Sequence, residues 1–196
     1  MDLSVRRVRL SSPTVDFSFA HAWNAEILAA RPAILPARHY VYPLQVEEVE
    51  RGALEVLVRP EQASPFLATC ALGFRDPIVP TGIWSAPNPD EFCAVSGGYA
   101  YLIDTTKPER FTMLPYRPVL HVYPAAKARL LLFVGNRAIL AWGDHGEAWQ
   151  SPKLSDEGVT VSKIEGTILH GTGWNLFTDK ETPFALDLLN GVLINS

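Results

Sequence analysis

Phe92-Cys93-Ala94-Val95-Ser96-Gly97-Gly98-Tyr99-Ala100-Tyr101-Leu102-Ile103-Asp104 places two apolar stretches on either side of a glycine pair. Glycine reaches the positive φ that a tight hairpin requires, and the flanking valine, isoleucine and tyrosines favour extended chain. The stretch reads as two antiparallel strands and their turn. The same order of turn residue and strand returns at Gly52 to Val58, Asn136 to Trp142 and Gly173 to Asp179, with the leading residues 46, 38 and 37 positions apart. The fifth position is apolar each time (Val56, Leu102, Leu140, Phe177), and an aromatic residue follows at Phe66, Phe111, Trp149 and Phe184. Val119 to Tyr123 and Arg129 to Val134 add further runs of ordinary strand length.

This spacing resembles the blades of β-propellers of the WD40 and quinoprotein kinds. It does so most in Trp84 to Gly98 with the following Leu102-Ile103-Asp104, and in Leu186-Asp187-Leu188-Leu189-Asn190-Gly191, which looks like a blade-terminal strand and turn. The glycine-histidine and tryptophan-aspartate dipeptides of WD40 repeats do not occur. The resemblance implies a minimal or partial ring of antiparallel meanders. A β-sandwich or barrel is the alternative, and the fold class is mainly β in either case.

Residues 1–46 read as an irregular extension, with Pro13, Pro32, Pro36 and Pro43, ahead of an antiparallel β region over 47–196. Within it, Ala20 to Ala30 is expected to form one short helix. Trp23, Ile27 and Ala30 share a helical face, Asp16 and Ser18 supply caps, and Arg31-Pro32 supplies the stop. Val5 to Leu10 is expected as a strand. The whole chain, 1–196, is expected to be a single domain.

Composition narrows the function classes. Seventeen basic and 21 acidic residues give a net charge of −4 without a lysine-arginine run, so no nucleic-acid partner is expected. The densest apolar run, Leu130 to Val134, is far too short for a membrane span, and no secretory h-region follows the N-terminus. Cys70 and Cys93 fit two buried free thiols, and the expected location is the cytoplasm.

No phosphate-binding, dinucleotide, metalloprotease or nucleophile-elbow motif occurs, and no cofactor is expected. Asp144-His145-Gly146-Glu147 gathers an acid, a base and a ligand around one glycine, so His145, Asp144 and Glu147 are the catalytic candidates. His121, His145 and His170 would supply a three-imidazole metal site if their strands converged. Asp104 and Asp179, at equivalent positions of two units, are expected to close turns. Gly171-Thr172-Gly173 is expected to be a hairpin turn. Among the aromatics, Trp84, Trp142, Trp149 and Trp174 are binding candidates, with Trp142 and Trp149 better explained by the core. Trp84 and Asn88, in a proline-rich stretch read as a loop, are the expected ligand-binding pair. The leading expectation is a module that binds a small molecule or a protein. A small enzyme using the histidine cluster, with or without a metal, is second, and a structural subunit of a homo-oligomer is third.

Overall fold

The computed structural model describes residues 12–44 and 46–194, the side chains of 46–48 excepted. The described residues form seventeen strands in four sheets. Sheet I takes β2 (Trp23–Leu28), β3 (His39–Tyr42), β4 (Ala53–Pro60) and β5 (Phe66–Ala71) in the order β2-β4-β5-β3. Sheet II takes β1 (Thr14–Asp16), β6 (Gly82–Ser85), β7 (Glu91–Ser96), β8 (Tyr99–Asp104) and β9 (Phe111–Met113) in the order β1-β6-β7-β8-β9. Sheet III is the meander β10 (His121–Ala125), β11 (Leu130–Val134), β12 (Ile139–Gly143) and β13 (Gly146–Gln150). Sheet IV is the meander β14 (Val159–Glu165), β15 (Ile168–Asn175), β16 (Lys180–Asp187) and β17 (Val192–Leu193). Pairing is antiparallel except for β1 on β6 and β3 on β5. No helix among the described residues is long and apolar enough to cross a membrane.

The sheets stack face to face in sequence order, and the side-chain alternation of single strands shows how. In β7, Phe92 and Ala94 enter a core shared with sheet I, while Cys93 and Val95 enter one shared with sheet III. In β11, Leu131 and Phe133 face sheet II, while Leu130, Leu132 and Val134 face sheet IV. Successive side chains point to opposite faces, so a strand covered on both sides is apolar along most of its length. That explains the unbroken run Leu130 to Val134. Each fully buried Leu, Val or Phe contributes about 1.5–3 kcal/mol. The three cores join I to II, II to III and III to IV, and among the described residues none joins IV back to I. The units are blade-like sheets in an open series, and no barrel closes.

Sheets III and IV are also pinned by one side chain. Trp149 of β13 donates its indole N–H to Leu188 O at 2.8 Å. Gly191, at φ +72°, lies so close that a Cβ there would stand 2.6 Å from the Trp149 ring.

Both ends of the series are covered by polar chemistry. On the outer face of sheet I, Glu55 is 6% exposed and Thr69 fully buried. Arg31 pairs with Glu55 at 2.8 Å, and Thr69 donates to the second Glu55 oxygen at 2.5 Å. Having spent its proton there, Thr69 accepts from His39 Nε2 at 2.9 Å. On the outer face of sheet IV, Lys163, Glu165 and Glu181 are exposed and His170 and Thr172 half-buried. The last strand, β17, is short: it pairs with only Leu186 and Asp187 of the eight-residue β16.

Three local expectations are corrected. The segment 20–30 forms no helix; it contains β2, paired with β4 from Trp23↔Pro60 to Leu28↔Glu55. Trp23, Ala25 and Ile27 alternate as well as they spiral, and the apolar face of sheet I selects the alternation. Residues 12–44 are thereby woven into sheets I and II, and the strand expected over Val5 to Leu10 lies outside the described residues. Gly171 and Gly173 are interior to β15 rather than a turn. A Cβ on Gly173 would stand 2.0 Å from Leu154 O, and one on Gly171 2.4 Å from Thr160 O. Gly166, at φ +63°, makes the turn into β15 instead. Trp84 belongs to β6 and not to a loop, at 3% exposure in the core between sheets II and III. The Gly97-Gly98 hairpin is as expected, with both residues at positive φ.

Trp84→Ala removes a large core side chain, so denaturant unfolding should show a stability loss of about 3–5 kcal/mol. A loss under about 1 kcal/mol would contradict the placement of this indole.

Candidate functional site

The histidine candidates occupy three separate places. His145 sits in the turn between β12 and β13 with its side chain 95% exposed, 3.9 Å from Asp144. Asp144 also lies 3.4 Å from Arg129, and Glu147 is exposed at the start of β13. His121 is paired with Val134 at the opposite end of sheet III, where its ring meets Tyr123. About four residues of extended chain, roughly 13 Å, separate those two ends. His170 is on the outer face of sheet IV, 3.6 Å from Glu165. Among the described residues, no group of three or more His, Cys, Asp or Glu is placed to hold a metal ion.

Asn88, the expected partner of Trp84, organises a turn. Its Oδ1 accepts Asp90 N at 3.0 Å and its carbonyl accepts Glu91 N at 3.1 Å. Asp104 closes a turn in the same way, accepting Thr106 N at 2.9 Å and Lys107 N at 3.0 Å. In the fourth unit that task falls to Asn175, whose Oδ1 accepts Phe177 N at 2.9 Å and Thr178 N at 3.2 Å, while Asp179 takes φ +52°. Cys70 and Cys93 are free and buried, and burial pushes both thiols well above their ordinary range.

Among the described residues, Trp174 is a tryptophan candidate that borders an open hollow. A cleft of about 670 Å³ lies at the end of sheet IV, between the loop 153–156 and the β15–β16 hairpin. Phe177 and Phe184 supply its aromatic lining, Leu193 and Ile194 its aliphatic lining, and Lys153, Ser155 and Asp156 its polar side, while Trp174 borders it with a side chain that alternation sends to the outer face beside Thr172 and Glu181. The absent side chains of Gly173 and Gly171 make the arrangement possible. The first lets the loop at Leu154 approach β15, and the second leaves room for the Phe184 ring.

Hydrogen bonds set the cleft's shape before any ligand enters. Ser155 Oγ accepts Trp174 N at 2.8 Å and Glu157 N at 3.1 Å and donates to Gly158 O at 2.7 Å. Asp156 accepts Leu176 N at 2.9 Å and is paired with Lys153 through its other oxygen. These two contacts hold the Asp156 carboxyl below its ordinary range, the Lys153 ammonium chief among them. With Asn175, they fix a hairpin tip that presents Leu176 at 62% and Phe177 at 97% exposure. Asn175, Asp156 and Lys153 were not singled out in the sequence. Their only signal is the apolar pair Leu176-Phe177 set between turn-forming residues, where polar side chains are the rule.

Glu91 is a second site of unusual chemistry. It begins β7, where its carbonyl accepts the Trp23 indole at 3.1 Å and its carboxylate the Trp142 indole at 3.0 Å. One residue therefore ties sheets I, II and III. Burial raises its carboxyl above the ordinary range, opposed by the Trp142 bond and assisted by the like charge of Asp104, its cross-strand neighbour. A hollow of about 440 Å³ opens beside it, lined also by Glu109 and Arg110.

No protein-family model, curated protein or solved structure matches this chain.

The sign of the Glu91 shift gives a pH dependence. A carboxyl with a raised folded pKa binds its proton more tightly in the native state, so its contribution is complete below the ordinary glutamate range. That contribution is lost as pH rises through the folded value. Glu91→Gln keeps an acceptor for Trp142 and removes the charge. It should raise the melting temperature relative to the wild type at pH 7, with the gain shrinking towards pH 4. A gain that grows on acidification would refute the assignment.

Proposed function

We propose that this protein is a binding module whose ligand seats in the cleft beside Trp174. The observation that carries the reading is the preformed hollow itself. Its volume of about 670 Å³ falls within the range of small-molecule sites, which combine apolar walls with a few placed polar groups. Rigid presentation of Phe177 at near-complete exposure supports the same role, because an ordered apolar tip lowers the entropy lost on binding. The cleft's titratable side chains, Lys153 and Asp156, are paired with each other, an arrangement that suits recognition rather than proton transfer.

The two free thiols support a reducing compartment, the cytoplasm, as the place of action. A net charge of −4 favours a small molecule or a protein over nucleic acid as the ligand.

Saturation-transfer NMR with a library of small amphipathic fragments tests the reading. A subset should bind the wild type, and Phe177→Ala, at an exposed lining position, should abolish that binding while the melting temperature stays within a few degrees. Fragments that bind equally well to both proteins would place the site elsewhere.

A further inference from the structure

We infer that a hollow between Arg117 and Arg137 binds a phosphoryl group carried by a small molecule, at a second site apart from the cleft of sheet IV. The hollow measures about 240 Å³ and is lined by Tyr116, Arg117, Pro118, Asn136 and Arg137. The charged side chains in this lining are both guanidiniums, and no carboxylate shares it. Among the described residues neither arginine is in an ion pair, whereas Arg31, Arg59 and Arg129 each have a carboxylate within 3.4 Å. Asp156 senses the Arg137 charge but is itself committed to Lys153 and Leu176 N. In a chain with 21 acidic and 17 basic residues, two neighbouring arginines without a carboxylate leave a local excess of positive charge.

The fold positions both residues. Arg117 lies over the Tyr99 ring, 5.0 Å from its centroid. That ring is confined in turn, with Phe74 edge-on at 5.7 Å and Gly73 so close that a Cβ would stand 2.4 Å from it. A guanidinium over a ring gives its face to the ring and keeps its N–H edge for an anion. Tyr116 clamps the β11–β12 hairpin that carries Arg137. Its hydroxyl accepts Ala138 N at 2.8 Å and donates to Ala138 O, and its ring fills the space a Gly135 side chain would take. From the other side, Arg137 O accepts Leu154 N at 2.7 Å and Asn136 O accepts Gly158 N at 2.9 Å. The backbone on both sides of the hollow is thus fixed before an anion arrives, which lowers the entropy lost on binding.

Each guanidinium is a planar fork of N–H donors that pairs with two oxygens at once. A carboxylate has a single charge and two oxygens, enough for one fork. A phosphoryl group carries a charge of about −1.5 to −2 and three acceptor oxygens, so it matches two forks and two positive charges. A neutral or cationic head would leave both guanidiniums without a counter-charge.

The full chain is titrated with glycerol 3-phosphate, inorganic phosphate and acetate at constant ionic strength, at a pH above the second phosphate ionisation of about 6. Two-dimensional NMR follows the arginine Nε–H resonances, assigned with Arg117→Gln and Arg137→Gln. Glycerol 3-phosphate should shift both resonances saturably and bind about tenfold more tightly than acetate. Each variant should weaken it about tenfold, with an unchanged melting temperature because both side chains are exposed. Arg59→Gln, which removes an exposed arginine from sheet I, and Phe177→Ala at the cleft should leave phosphate binding as it is. Inorganic phosphate binding as tightly as the ester would uphold the site with free phosphate as its occupant. Acetate binding as tightly as the ester, a shift that never saturates, or an equal loss with Arg59→Gln would each overturn the site. In each of those cases the binding role of the cleft would stand, since it is tested by a different variant and different probes.

Discussion

Double burial of sheets II and III is the constraint on which the rest of the structure depends. Strands β7, β8, β11 and β12 each contribute alternate side chains to two cores, so these inner strands are covered on both faces. The side chains such a strand sends into the two cores are apolar, and its outer neighbours must each bury a face against it. Trp84, Trp142 and Phe133 fill the space between the two inner sheets. The indoles of Trp23 and Trp142 converge on Glu91, where three sheets meet. The hydrogen bonds at Glu91 fix register between sheets that are otherwise joined by non-directional packing.

A series of stacked sheets that does not close has two terminal faces, and the chain treats them differently. Sheet IV uses plain alternation, with residues such as Leu169 and Leu186 inward and Lys163, His170 and Glu181 outward. Sheet I instead buries a carboxylate beneath the segment that follows β2. Burial of Glu55 is tolerable because Arg31 and Thr69 satisfy both of its oxygens. Removing either partner leaves a buried charge short of a bond, which costs more than the pair contributes to stability when intact. Polar outer surfaces on the terminal units are the usual condition for an open array to stay soluble. The cleft belongs to the terminal sheet, where the packing demand is lowest and a hollow is least costly to the core.

The inner strands were legible in the sequence because two-sided burial writes an unmistakable pattern: Leu130 to Val134 has no polar member. The Gly97-Gly98 turn was legible because both residues need positive φ. Trp23 to Leu28 was not, since its apolar positions satisfy both a helical and an alternating period, and only β4 decides between them. Gly173 looked like a turn because a glycine needed for positive φ and one needed for close approach are identical in sequence. The proline-rich surroundings of Trp84 read as a loop, whereas the prolines lie just outside a four-residue strand. Of the site, Trp174 was visible as a candidate. Its neighbours were not, because residues from 153–156, the β15–β16 hairpin and the C-terminal strand meet only once sheet IV has formed.

Among the described residues β17 covers only one end of β16, and uncovered sheet edges recruit foreign strands. Ile194 N donates to Ala185 O, so the odd-numbered residues of β16 turn their backbone groups outward along that edge. The next residue in that row is Pro183, which has no N–H to offer and interrupts any ladder. A strand adding along that edge, the first step towards fibril formation, would meet a break in its hydrogen bonding at Pro183. The proline that walls the cavity thus also offers a poor backbone template to another copy of the chain.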